Sequence, residues 1–340
     1  MALTNLTAGE KQIETFRQLR CSAAWAGGIH EHFKYLSAFN IFLSITAALG
    51  NTLILVALRK VSCLHPSSKL LFRCLATTDL CVGLITEPLS VIYSMSVAQE
   101  KWKLCRYTLS SLVITGYTLC SVSLLTMTAI SVDRLLALLL GLRYRQIVTE
   151  RRTYVIVVIF WIMSAVASIF YLLNPLIPTW YGRLVIPLCL VTSIASYAKI
   201  FLNLRHHQTQ VQSHFQQEQP GQINPLNIER YRKAVSSALW VQCTLVACYS
   251  PFSIVRALVR YRKTTSWSVL IFELATTLVY LNSSLNPILY CWKISEVKQA
   301  VKETIREAES PPFVSSLLIS HFRVKLGACG PGTGWSNTAH

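Results

Sequence analysis

Charge is scarce in this sequence. Charged residues make up 14% of the 340 and hydrophobic residues 52%, where soluble domains carry about 25% charge. A soluble chain of this composition lacks the polar surface to cover itself, so a multi-pass membrane protein is expected. Acids are the scarcer sign: 15 Asp and Glu stand against 32 Lys and Arg, a formal net charge of +17. In a membrane protein that excess belongs to cytoplasmic loops facing anionic lipid, and no nucleic-acid partner is expected. CxxC pairs are missing among the eleven cysteines, which argues against a zinc site or a dense disulfide framework. At least seven of them fall in apolar runs, where Cys behaves as a small hydrophobe. The opening residues MALTNLTAGEKQ have no basic stretch followed by an apolar one, so no cleaved leader is expected. No internal repeat is visible.

What the chain does have is seven apolar runs, near 34–58, 68–93, 105–139, 153–175, 184–204, 233–258 and 267–291, each long enough to span at about 20 residues. The expected fold is an all-α seven-transmembrane helix bundle. Residues 1–33 form an N-terminal segment and 34–292 the bundle. Within 293–306 the spacing of Ile294, Val297, Val301 and Ile305 predicts a short amphipathic eighth helix on the membrane surface. Residues 307–340 read as a disordered tail, and the Gln- and His-rich 205–230 as a disordered loop. The connection between the fourth and fifth runs, around 176–183, is very short.

Lys and Arg counts orient the bundle. Twelve basic residues flank the runs on one side and seven on the other, which makes the first side cytoplasmic and the N-terminus extracellular. Asn5-Leu6-Thr7 is then a luminal glycosylation sequon.

Several polar residues break the apolar runs. Asp133 and Arg134 in SVDRLLALL end the third run. Charges at membrane depth are usually functional, although taken alone this pair is equally an interfacial one whose stem snorkels. Asp79 stands alone in LATTDLCVGL, Asn51 lies in the first run and Trp161 in the fourth. Pro251 in CYSP and Pro287 in LNPILY break the backbone ladder of the sixth and seventh.

Gly50-Asn51, Leu75-Ala76 with Asp79, Ser131 to Arg134, Arg143-Tyr144, Trp161, Cys248 with Pro251, and Asn286 to Tyr290 occur in order, across residues 34 to 306. This set resembles the rhodopsin-like (class A) G-protein-coupled receptors. The resemblance implies a plasma-membrane receptor that performs no covalent chemistry and passes the binding of an extracellular small ligand to a heterotrimeric G protein. It implies that Arg134 meets the G protein and that Asp133 restrains it at rest. Tyr144 lies in the adjoining loop motif, and Tyr197 and Tyr290 turn inward on activation. Tyr249, Pro251, Asn286 and Pro287 belong to the moving parts. Asp79, Ser123, Asn282, Ser283 and Asn286 match the cluster that holds an allosteric sodium ion in many such receptors, and no other cofactor is expected. A lone buried carboxylate must be paired or protonated, so Asp79 is either this cation's ligand or a protonated acid bonded to Asn51.

The departures from the family pattern are informative. Leu135 replaces a Tyr, Gly141 a Pro, and Tyr249 a Trp. Tyr231 stands where an acid is usual, with Glu229 two residues away. Leu109 occupies the position of the family's third-span half-cystine, and 176–183 contains no Cys, so the usual disulfide is absent. Cys105 lies one turn further out. The sequence does not decide whether it pairs with Cys21. Pro187 lies ten residues before Tyr197, two more than is usual. Together these resemble the melanocortin, cannabinoid and lysolipid branch, with adenosine receptors as neighbours.

The ligand-binding candidates are Glu87, Val113, Gly116, Tyr117, Phe252, Arg256 and Leu274, with Ile92, Tyr93 and Leu109 in the same apolar outer end. Gly116 stands where amine receptors carry an acid, so a cationic amine finds no counter-ion there. Glu87, before Pro88, either bonds within the proline kink or meets the ligand. Arg256 offers a fork for carboxylate or phosphate, or turns outward to the headgroups. The uncovered mouth and this lining favour a neutral or anionic, lipid-like or nucleoside-like ligand. Two rival readings are a receptor-like protein that does not signal and a small transporter using Asp79 and Glu87 as an ion relay. A transporter predicts inverted repeats.

Overall fold

A computed structural model describes residues 20–22, 29–60, 64–173, 176–215, 225–258, 265–293 and 295–309. Among them six helices are long and apolar enough to cross a membrane, and the helix Pro225–Leu258 completes a bundle of seven. In lipid only a helix satisfies every backbone N–H and C=O within its own segment, so long apolar runs fold this way.

Polar residues of the spans face inward, among buried aliphatic ones such as Leu43, Ile54, Leu75 and Leu124. In the first span, His30–Lys60, Phe42, Ile45 and Leu49 are exposed, while Asn40, Ala47 and Asn51 are buried at a helical repeat. This is the reverse of a soluble helix, because hydrocarbon competes with Leu and Ile for the outer face but not with Ser or Asn for the inner one. Phe33 is fully buried, so the bundle begins earlier than residue 34.

Close backbone approach explains the Gly50-Asn51 motif. A Cβ on Gly50 would lie 2.9 Å from the Cβ and Cγ of Pro287, so the first span packs directly on the seventh-span kink. Gly50→Ala is expected to lower stability by about 1–3 kcal/mol through overpacking, read as a fall in the melting midpoint of the detergent-solubilised receptor. An unchanged midpoint would show that the kink yields at no cost.

The second span differs from its sequence reading. Helix Pro66–Cys81 widens into a π-turn, Val82–Thr86, before Glu87–Ala98 resumes. Pro88 withholds one N–H from the ladder, and the Ser44 hydroxyl donates to the Gly83 carbonyl at 2.6 Å. The π-turn inserts extra rotation, and Glu87 is buried as a result.

The third span, Trp102–Leu140, stops at Gly141, whose φ of 50° and ψ of −117° suit glycine alone. A proline, fixed near −65°, cannot occupy that position, so the departure at Gly141 is a structural requirement of this turn.

The expected loop at 176–183 is helical instead. The fourth span, Glu150–Ile169, passes through a short 3-10 turn, Phe170–Leu172, and the next helix begins at Leu176. Pro178 falls in its first turn, where a missing N–H has no intrahelical partner to lose. The 205–230 loop is likewise shorter than expected: the fifth helix runs to Phe215 and the sixth starts at Pro225. Residues 216–224 lie outside the described ones. The eighth helix spans Ser295–Glu309 and lies against the first and seventh spans. Ala300 and Val301 are buried, while Ile305 is exposed. Asn5, Ile294, Arg260, Arg262, Lys263 and the tail from 310 lie outside the described residues, as do the side chains of Glu229, Tyr231 and Val297.

Candidate functional site

The end of the bundle that carries SVDRL is organised around Asp133, which is 5% exposed. Its two oxygens are taken by hydroxyl donors: Ser68 Oγ to Oδ2 at 2.8 Å and Tyr144 Oη to Oδ1 at 2.7 Å. Burial pushes the Tyr144 phenol up to about 12, and the bond to Asp133 adds to the shift, so Tyr144 remains a donor at physiological pH. Its ring also lies 5.0 Å from that of His65. Arg134 does not pair closely with its neighbour. Its Nε is 4.0 Å from Asp133 Oδ2, and its guanidinium lies 5.7 Å from the Phe72 ring centroid. Consecutive helical residues point about 100° apart, so the Asp133–Arg134 ion pair is a long one. The same Phe72 ring meets the buried Tyr290 edge-on at 5.2 Å. Tyr197 is buried too. Ser68, Phe72 and His65 were not singled out from the sequence, and nothing in their spacing marks them.

The middle of the bundle holds Asp79, fully buried. Ser123 and Ser283 donate to Oδ1 at 2.9 and 2.8 Å, and Asn286 donates to Oδ2 at 2.7 Å. Asn51 donates instead to the Ala47 and Ser283 carbonyls, and among the described residues it makes no bond to Asp79. Asn282 misses Asp79 and turns its amide to the Met127 sulfur at 3.4 Å. The buried Oδ1 atoms of Asn282 and Asn286 lack a hydrogen-bond partner. A carboxylate ringed by hydroxyls, with spare carbonyl oxygens beside it, fits a hard cation. Just above, the Tyr249 hydroxyl donates to the Cys120 carbonyl at 3.3 Å, a bond the usual Trp would not make in this way. Pro251 lies inside the sixth helix as expected.

The outer end departs most from expectation. Arg256 turns inward: it is buried, and its guanidinium lies 4.9 Å from the Tyr117 centroid and 5.7 Å from that of Phe252. A Cβ on Gly182 would sit 2.8 Å from its Nη1. Gly116 is buried near the Tyr280 hydroxyl and Thr86, and Val113 packs against the outer core. Leu274 and Ile92 are 48% and 44% exposed and face lipid. Glu273 and Tyr93, one residue away in each case, take the inward direction. Among the described residues Glu87 makes no bond in the proline kink, and neither carboxyl oxygen has a partner.

The mouth is also more covered than expected. Cys21 and Cys105 form a disulfide, with Cα atoms 5.8 Å apart, in place of the family's usual one. Arg20 thereby enters the bundle and pairs with Glu273. Glu273 lies in the apolar stretch VLIFELATT, so the rule that marked Asp79 would also have marked it.

A seven-helix bundle with a polar middle, a partly exposed Arg134 at one end and a buried Arg256 among aromatic rings at the other is the architecture of a membrane receptor. The sequence model of the 7 transmembrane receptor (rhodopsin family) matches residues 50–177 and 176–290, and the chain belongs to that family. It is a G-protein-coupled receptor and not an enzyme. Adenosine receptor A3 of Ovis aries is 23% identical over 286 residues, covering 76% of this chain and 86% of its own. 5-Hydroxytryptamine receptor 1B of Equus caballus is 25% identical over 336 residues, covering 78% and 84%, and the Homo sapiens receptor 1B is 23% identical over 336. These near-equal identities do not separate one ligand branch from another.

Proposed function

We propose that this receptor sits in the plasma membrane with its N-terminus outside and Asn5 glycosylated. Its ligand is neutral or anionic with a large apolar part, lipid-like or nucleoside-like. The basic asymmetry of the loops supports the orientation. One observation carries the ligand reading: Arg256 is 8% exposed and stacks on Tyr117 and Phe252 inside the bundle. Its planar fork suits a carboxylate or phosphate, and Gly116 leaves no acid where an ammonium would seek one. Glu87 favours a second reading, because its buried oxygens have no partner and would accept from a ligand hydroxyl or amine.

A second-messenger screen with lipid, nucleoside and peptide panels, with Arg134→Ala as the control, identifies the agonist. Arg256→Glu is then expected to lower its potency by about tenfold or more, equivalent to about 1.4 kcal/mol, with a smaller loss in Glu87→Gln. Full potency in Arg256→Glu together with loss in Glu87→Gln would reverse the assignment.

We also propose that Asp79, Ser123, Asn282, Ser283 and Asn286 hold sodium. The ion would favour the closed bundle and lower agonist affinity, since a ligand shifts an equilibrium only by its differential affinity. Agonist affinity is therefore expected to be lower in sodium than in a large organic cation, by severalfold, and the difference to vanish in Asp79→Asn. A sodium effect that survives Asp79→Asn would place the ion elsewhere.

A further inference from the structure

One charged cluster has no part in the machinery above. Arg20 is 7% exposed and Glu273 3%, and the guanidinium Nη2 donates to Glu273 Oε1. Nε donates to Tyr93 Oη at 3.4 Å. The rings of Tyr93 and Phe272 both lie 5.2 Å from the guanidinium carbon. Tyr93 comes from the second span and Phe272 and Glu273 from the seventh. An acid, a phenol and two aromatic faces around one planar cation are the elements of a guanidinium receptor. The cation itself belongs to neither span. It arrives on the segment that the Cys21–Cys105 disulfide ties to the third.

The niche adjoins the ligand end. Phe272 lies 5.6 Å from Phe252, centroid to centroid, and Arg256 stacks on that same Phe252. Two guanidinium groups therefore bracket one pair of phenylalanines. A buried ion pair is a poor source of stability compared with apolar packing, and an apolar plug would seal this mouth as well. The charge chemistry therefore points to recognition.

We propose that Tyr93, Phe272 and Glu273 form a guanidinium-binding subsite at the mouth of the receptor, and that Arg20 is its tethered resident ligand. The subsite takes a guanidinium on an arginine side chain or a small molecule when Arg20 leaves it. This rests on the receptor assignment and not on the class of ligand that Arg256 takes.

The test is chemical rescue in the full-length receptor, purified in detergent. Arg20→Ala empties the subsite and is expected to lower the melting midpoint. Ethylguanidine should restore most of that loss, whereas ethylammonium, a point charge without the planar fork, should restore little. In the Arg20→Ala/Glu273→Gln double variant the affinity for ethylguanidine should fall by about tenfold or more. Rescue that is absent, equal with ethylammonium, or equal in the double variant overturns the proposal. If Arg20→Ala does not reach the cell surface, surface yield becomes the readout, with ethylguanidine supplied during expression and the same outcomes deciding. The charge swap gives an independent check. Arg20→Glu and Glu273→Arg should each lower surface yield and together recover it, and single swaps that match the unmodified receptor overturn the pairing. None of these readouts requires a G protein or an agonist, so they fail or succeed apart from the ligand reading.

Discussion

Arg134→Ala is expected to abolish G-protein activation while agonist affinity stays unchanged. The side chain is 39% exposed and 4.0 Å from Asp133, with its guanidinium over the Phe72 ring. Both oxygens of its acidic neighbour are engaged elsewhere, by Ser68 and Tyr144. The ligand candidates Arg256, Tyr117 and Glu87 lie at the other end, beyond the Asp79 cluster. Loss of the cation is therefore expected to remove a contact with the G protein and none with the ligand. Nucleotide exchange on purified G protein, with the receptor in lipid discs, should fall by more than about tenfold. Asp133→Asn provides the contrast. It weakens the acceptor for Ser68 and Tyr144, so basal exchange should rise. Signalling of normal amplitude in Arg134→Ala would mean that the SVDRL segment has no transducing role.

Cys21→Ser should give the largest loss of stability. The disulfide links residues 84 apart in sequence, and closing a loop of that size restricts the unfolded chain by an amount equivalent to about 2–5 kcal/mol. Its loss also releases Arg20 from its partner, which leaves Glu273 as an uncompensated buried charge. The melting midpoint should drop by several degrees, and treatment of the unmodified receptor with a reductant should reproduce the shift. Equal midpoints before and after reduction would show that the segment is held by its packing alone.

The broad architecture was legible because lipid imposes it. A run of apolar residues long enough to span has only a helix available to it, and the basic residues around the runs carry an orientation. The middle of the bundle was legible for a related reason. Asp79 in an otherwise apolar run demands a partner, and the hydroxyl and amide donors that supply it recur at helical spacing on the other spans. Three of the four residues grouped with it, Ser123, Ser283 and Asn286, donate to it. Asn282 does not, because its amide turns toward Met127, a choice of rotamer that no spacing encodes.

Elsewhere the reading stopped at facts that belong to contacts between spans. Leu274 and Ile92 look as apolar as Phe252, and only the rotation of each helix about its axis decides which residue faces lipid and which faces a partner. That rotation is set in the second span by a π-turn, for which Pro88 gave a cause but not the position. Gly50 and Gly141 show the same division. The sequence marks both as glycines, whereas the proximity of Pro287 to one and the φ of the other explain why they must be.

By itself, then, the sequence determined that this chain is a seven-helix receptor with the N-terminus expected outside, since hydropathy, charge asymmetry and ordered motifs are properties of residues along a line. Tertiary structure alone decided what closes the mouth. Cys21 and Cys105 are two of eleven cysteines, Arg20 is one of many basic residues, and Glu273 stands out in its apolar run without naming its partner. Their meeting depends on the Cys21–Cys105 disulfide and on the second and seventh spans presenting Tyr93, Phe272 and Glu273 to the same point. A buried guanidinium is tolerated only where acid and aromatic faces converge on it, and convergence of residues so far apart in the chain is a property of the packed bundle.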